Sequence, residues 1–250
     1  MQANGAIYDS KTICPICEKE FVVTKIRSKT ARISTQDTDF CPHYEGINPL
    51  FYEGIVCSHC GFGVHLSNLS AQINKYAREK NRKSVQSSWT PRDMSGERDI
   101  DQALNAFKIV LFNLVVREDP RSEQAKICLR IAWLYRFKNE KENERKYLKH
   151  ALEHYTYAYQ KEDLSKSGMD EFICLFMVAE LSRRLDLDEE SLRWFSRLIA
   201  SYSDPSKRSR IPKRIIDTTQ DLVTEIRKKI QLSEGTEAAA ADAEQGQSTN

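Results

Sequence analysis

The sequence predicts an α+β protein, with a small cysteine-bearing β module at the N-terminus followed by an all-α array of helical hairpins. Three observations carry this expectation. Two C-x2-C pairs, Cys14/Cys17 and Cys57/Cys60, bracket short apolar and β-branched runs. The texture of the chain changes near residue 95. Beyond that point apolar residues recur at steps of three and four, the period of a helix with one buried face.

The composition sets outer bounds. A chain of 250 residues is long enough for one large domain or two, since one core serves roughly 100 to 200 residues. With 40% hydrophobic residues, 30% charged residues and a formal charge of +2, nothing global draws it to nucleic acid or membrane, so any basic binding face has to be local. The longest apolar stretch, 109–116, is interrupted by Asn113 and falls far short of the roughly 20 residues that cross a bilayer. No membrane partner is expected. The opening MQANGAIYDSKT lacks the basic start and apolar stretch of a secretory signal, which points to the cytoplasm. The seven cysteines are odd in number, and in a reducing compartment the C-x2-C pairs read as metal ligands or a redox site rather than disulfides.

In the first module, Cys14-Pro15-Ile16-Cys17 and Cys57-Ser58-His59-Cys60-Gly61 each place two thiolates on a tight turn, and two such turns complete a tetrahedron around one ion. Thiolates favour zinc, although iron can take the same arrangement. The expectation is therefore one structural Zn2+ ion in a zinc-ribbon-like module. Redox chemistry of the thioredoxin kind needs C-x-x-C at a helix start beside a β-α unit, and no such unit is found. Four cysteines also close the shell against catalytic water. Phe21-Val22-Val23 and the run 50–56 read as short strands. Another is expected over 25–33, with Ile26, Ser28, Thr30 and Arg32 on one side. Gly61 suits a turn position with positive φ or a close backbone approach.

Between the pairs, DTDFCPHYEGINP is the densest polar segment. It is expected as a loop whose Asp side chains bond backbone amides and which Pro42 and Pro49 restrict. Asp37, Asp39, Cys41, His43 and Tyr44 also form a candidate second metal site or a recognition loop. Cys41 and His43 could act there with His59, His65 or a carboxylate. His59 is expected at the surface, and His65 is ambiguous.

A helix is expected over 67–83 from Leu69, Ile73, Tyr76 and Ala77, and serines, Pro91 and Gly96 mark 84–98 as a linker. Helices follow over 99–118, 122–137, 139–161, 169–184 and 188–201. In the first of these Ile100, Ala103, Leu104, Phe107, Leu111, Leu114 and Val115 make the buried face. With an offset of 47 residues, Ile131-Ala132 superposes on Val178-Ala179, Leu134 on Leu181, Glu142 on Glu189, and Tyr147-Leu148 on Trp194-Phe195. Such helix pairs resemble tetratricopeptide repeats, with a longer period than that family's. Cys128 and Cys174 read as core, and His150 and His154 as surface residues. Ile211, Ile215, Leu222 and Ile226 make a last helix beside the basic SKRSRIPKR run, which reads as a solvated face. The expected organisation is a zinc-ribbon-like module with its following helix at 1–83, a linker at 84–98, a tetratricopeptide-like helical domain at 99–231, and a disordered tail at 232–250.

CPICEKEF, DTDFCPHYEGINPLFYE and VCSHCGFG together resemble a bacterial family, the domain of unknown function 2225, from Cys14 to about Trp194. The resemblance implies Cys14, Cys17, Cys57 and Cys60 as the metal set. It also implies Asp39, Tyr44, Asn48, Pro49 and Tyr52 as family-like residues around them, and it brings no activity.

The expected function is a noncatalytic scaffold, in which zinc fixes the small module and the helix pairs hold a protein or peptide. One alternative is nucleic-acid binding or a regulatory role through the zinc module with Lys25, Arg27, Lys29 and Arg32 and the basic C-terminal runs at 206–214 and 227–229, with Phe40, Tyr44, Phe51 and Tyr52 stacking on bases. Another is a metal-dependent enzyme built on the Asp37 to Tyr44 cluster.

Overall fold

A computed structural model describes residues 5–27 and 29–247, and side chains as far as residue 233. Ser28 lies outside the described residues, as do residues 248–250 and the side chains of 234–247 in the tail expected at 232–250. The chain forms two compact units, Met1–Met169 and Asp170–Asn250.

The first unit begins with three antiparallel hairpins. Strand β1 (Ile7–Ile13) pairs with β2 (Glu20–Ile26), β3 (Arg32–Gln36) with β4 (Pro42–Glu45), and β5 (Gly54–Val56) with β6 (Gly63–His65). The strand expected over 25–33 is instead the end of β2, a turn closed by Thr30 N donating to Arg27 O at 2.9 Å, and the start of β3. The run 50–56 likewise opens as a 3-10 turn, Pro49–Tyr52, because Asn48 caps it and Pro49 supplies a preset φ. Only Gly54–Val56 continues as strand. β1 and β2 enclose the first cysteine pair, β5 and β6 the second, and Ile16, Phe21, Val23, Ile55, Phe62 and Val64 fill the thin core between them.

Helices cover this ribbon. The helix expected over 67–83 begins as a 3-10 turn at Leu66–Asn68, and α1 (Lys75–Ser84) starts only where the Asn74 side chain accepts from Ala77 N. Helix α2 (Ile100–Arg117) opens on a capping box, with Asp99 accepting from Gln102 N at 2.8 Å and Gln102 Oε1 accepting from Asp99 N at 2.9 Å. Its buried stripe is Ala103, Leu104, Ala106, Phe107, Val110, Asn113, Leu114 and Arg117. Val115, expected inside, is exposed. The stripe is rotated because two polar members serve backbone carbonyls of the ribbon: Asn113 Nδ2 donates to Gly61 O at 3.0 Å, and Arg117 Nη1 to Gly63 O at 3.1 Å. Gly63 permits this docking, since a Cβ there would stand 3.0 Å from Val110 Cα.

Helices α3 (Arg121–Phe137) and α4 (Lys141–Lys161) pack as a hairpin, burying Ala125, Leu129 and Ala132 of α3 and Leu148, Ala151, Leu152 and Tyr155 of α4. In the second unit, α5 (Glu171–Arg184) and α6 (Asp188–Ser203) make another hairpin, with Phe176 and Phe195 5.9 Å apart. A short α7 (Pro205–Arg208) leads to α8 (Lys213–Gln247), whose Ile215, Ile216, Thr219, Leu222, Val223 and Ile226 are buried. In the basic run, Arg210 pairs with Glu171 at 3.1 Å. Cys128 and Cys174 are core residues, and burial pushes the Cys128 thiol up to about 12. Among the described residues no helix is long and apolar enough to cross a membrane.

The α2 cap offers a direct check. Replacing Asp99 with Ala removes the acceptor for Gln102 N and is expected to destabilise the first unit by about 1 kcal/mol, read from denaturant unfolding. An unchanged midpoint would mean that α2 is held by packing alone.

Candidate metal centre

The two cysteine pairs sit on near-identical knuckles. In the first, Cys14 N donates to Lys19 O at 3.0 Å and Glu18 N to Cys14 O at 2.9 Å. In the second, Cys57 N donates to Phe62 O at 2.8 Å and Gly61 N to Cys57 O at 3.0 Å. The residue after each second cysteine is left-handed, Glu18 at φ 64° and Gly61 at φ 71°, a conformation that turns the chain sharply enough to aim both sulfurs inward.

Cys14 Sγ and Cys60 Sγ lie 3.5 Å apart, Cys17 Sγ and Cys57 Sγ 3.8 Å apart, and all four sulfurs fall within 4.8 Å of one another. A tetrahedral ion with metal–sulfur bonds of about 2.3 Å requires sulfur–sulfur edges of about 3.8 Å. The donor set fits a metal ion. Cys14, Cys57 and Cys60 are buried and Cys17 is half-buried. Crowded this way, the thiols ionise unequally: hydrogen bonding to Cys57 pushes Cys14 up, bonds to Cys14 and Cys57 push Cys60 up, and the bonds Cys57 receives from Cys14 and Cys60 pull it down. A bound cation would reverse the balance and release protons.

Later parts of the chain grip the outside of each knuckle. Arg82 of α1 donates from Nε and Nη2 to Ile16 O at 3.1 and 2.8 Å. Trp89 Nε1 donates to Ser58 O at 3.0 Å, and Arg92 N donates to the same carbonyl at 3.1 Å. Gly61 lies flat under the Trp89 ring, where a Cβ would come within 2.4 Å of it.

The two histidines near the second knuckle have other tasks. His59 is exposed and donates to Glu20 O at 3.0 Å. His65 accepts from Ser67 N through Nδ1 and donates from Nε2 to Glu53 at 3.1 Å. Burial pushes the Glu53 carboxyl up, but His65 and Arg130, whose Nε is 2.6 Å away, outweigh it and hold the group at about 2.

The polar segment 37–44 forms a clamped hairpin. β4 occupies the stretch read as loop, and the turn before it closes with Phe40 N donating to Asp37 O at 3.0 Å and Asp37 N to Cys41 O at 2.9 Å. Asp39 is fully buried. It accepts from Trp133 Nε1 at 3.0 Å and from Arg136 Nη2 at 2.7 Å. Arg136 also reaches Asp37 Oδ2 and Glu144 Oε1, both at 2.7 Å. His43 donates from Nε2 to Asp37 Oδ1 at 3.0 Å and meets Phe137 edge-on at 5.5 Å. A ring nitrogen of His43, Cys41 Sγ and an Asp37 oxygen lie within 4.8 Å of one another, while Asp39 faces Arg136 and Trp133.

Beside this hairpin a cleft of about 750 Å³ is lined by His43, Tyr44, Asn48, Phe51, Arg98 and Phe137, among others. Burial pushes the Tyr44 phenol up. Tyr52 is core, and its hydroxyl accepts from Arg98 N at 3.2 Å. Phe40 and Phe51 are half-buried, and Arg27 lies 5.2 Å over the Tyr8 ring.

Sequence reasoning missed Arg136, Trp133, Arg82 and Trp89 as parts of this assembly. A charge at position 136 on an otherwise apolar face of α3 was the one available signal.

The family model described as an uncharacterised protein conserved in bacteria, DUF2225, matches residues 7–226. The chain belongs to this family. Its matched span takes in both knuckles, the clamped hairpin and the helices as far as α8. No curated protein and no solved structure matches the chain.

Two substitutions test the geometry. Arg136→Ala leaves the Asp39 carboxylate buried without its guanidinium, which should cost about 3–5 kcal/mol in unfolding experiments; a loss below about 1 kcal/mol, the size of an exposed pair, would show that the clamp is not what holds the hairpin. Gly61→Ala drives a methyl into Trp89 at a positive φ and should cost about 1–3 kcal/mol, with earlier metal loss on heating. Wild-type thermal stability in that variant would contradict the close packing of Trp89 on the knuckle.

Proposed function

We propose that the protein is a noncatalytic binding scaffold in which one Zn2+ ion, held by Cys14, Cys17, Cys57 and Cys60, fixes the N-terminal module while the helical part holds a protein or peptide partner. The observation that carries the noncatalytic reading of this centre is its closed donor set. Four sulfurs at tetrahedral spacing leave no position for water or substrate, unlike the three-ligand shell of a catalytic zinc. Thiolate donors favour zinc over harder ions. The ion would contribute folding energy directly, about 10–16 kcal/mol in small zinc peptides, to a module whose apolar core is thin.

The partner reading draws on the surface. Phe112 and Val115 of α2 and Tyr157 of α4 are each about half exposed (52%, 53% and 51%), and Val115 and Tyr157 line a common groove with Pro120 and Arg121. Large apolar side chains gathered at a groove suit association with another chain. The tetratricopeptide likeness of the hairpins α3–α4 and α5–α6 belongs to the same proposal. None of the seven cysteines is joined in a disulfide, which suits a reducing compartment such as the cytoplasm.

The test is capture by the native zinc-loaded protein, compared with Phe112→Asp and Val115→Asp variants. Both positions are exposed, so the fold should survive. The scaffold reading expects a stoichiometric partner bound by wild type and weakened at least tenfold by either change. Recovery of no stoichiometric partner, or equal recovery by all three proteins, would overturn it.

A further inference from the structure

We infer that Asp37, Cys41 and His43 form a second divalent-metal site, separate from the four-cysteine centre, with an open coordination position toward the adjoining cleft. The four-cysteine centre does not use these residues, and three different donor types converge there: a carboxylate oxygen, a thiol sulfur and an imidazole nitrogen within 4.8 Å of one another. Carboxylate, thiolate and imidazole together suit zinc.

The surroundings orient the donors. Arg136 lies 2.7 Å from each of Asp37, Asp39 and Glu144 and so fixes the Asp37 carboxylate in place. The division of labour within Asp37 fits as well. Oδ2 is held by Arg136, and Oδ1, 3.0 Å from His43 Nε2, is the oxygen turned to the other donors. Carboxylate ligands are commonly oriented by such outer hydrogen bonds. The ion takes the place of the proton that Asp37 and His43 share; the imidazole proton moves to its other nitrogen or to solvent, and the Cys41 thiol gives up its own to solvent.

Coordination would be incomplete with protein donors alone. Three protein ligands leave a fourth position, as in zinc sites that take water or an exogenous ligand. His43 is about one-third exposed, at 37% of its side chain, and it lines the 750 Å³ cleft with Tyr44, Asn48, Phe51, Phe137 and Arg98. The ligand class that suits the vacant position is therefore a small molecule or peptide group carrying a carboxylate or similar anionic donor, with an apolar portion against Phe51 and Phe137.

The experiment is metal stoichiometry on the full chain, loaded with excess Zn2+ and then freed of loose ion by gel filtration. Wild type should hold two ions per chain, and His43→Ala and the isosteric Asp37→Asn should each hold one. Because the remaining ion belongs to the four-cysteine centre, failure of the second site and failure of the first give different counts. Cobalt loading supplies a second readout: the wild-type visible spectrum should contain a component that vanishes in both variants while the sulfur-to-metal charge-transfer bands of the four-cysteine centre persist. A wild-type ratio of one with the sulfur-to-metal bands of the four-cysteine centre present, or two ions retained in both variants, would overturn the site. The wild-type count and cobalt spectrum together decide even if a variant fails to fold.

Discussion

Four sulfurs drawn from turns some 40 residues apart in sequence occupy the corners of one small tetrahedron, and that convergence constrains everything around it. Three two-stranded hairpins bury too little apolar surface to order themselves, since isolated hairpins are marginal in water. The knuckles set where β1–β2 and β5–β6 begin and end. Their outward-facing carbonyls at Ile16, Ser58 and Gly61 then become the acceptors that Arg82, Trp89 and Asn113 find. Helix packing on the ribbon is thus partly a matter of satisfying backbone groups that the knuckles expose.

A second fixed point lies at the buried Asp39. Its carboxylate is covered by Trp133 and Arg136, so the hairpin β3–β4, mostly exposed and with its register shifted between Ile33 and Thr35, is tied to α3 by charge rather than by a core of its own. A buried ion pair of this kind fixes geometry more reliably than it adds net stability. Here it fixes where Asp37 and His43 stand relative to the cleft, linking the position of a loop to the chemistry that loop can offer.

Much of this was legible in the sequence where the signal is local. The C-x2-C spacing identified all four sulfurs because two thiolates on one tight turn are a short-range property, and Gly61 announced its left-handed turn. The helices from α2 to α6 were legible from apolar spacing to within a few residues. Other features depend on groups far apart in the chain. Arg136 and Asp39 are separated by 97 residues, and nothing near position 39 says which cation will neutralise it. The stripe of α2 was misplaced toward Val115 because counting apolar residues ignores Asn113 and Arg117, which are buried to serve carbonyls. β4 was read as a loop on the strength of Pro42 and neighbouring polar residues, yet proline is tolerated at the first position of a short strand.

Hydrogen exchange followed residue by residue, with the metal bound and after complete chelation, tests the central dependence on the thiolate tetrahedron most directly. The account predicts that the amides of Cys14, Glu18, Cys57 and Gly61, which close the two knuckles, lose their protection when the ion is stripped, while those of α5 and α6 in the second unit keep theirs. Knuckle amides that stayed equally protected in verified metal-free protein would contradict it.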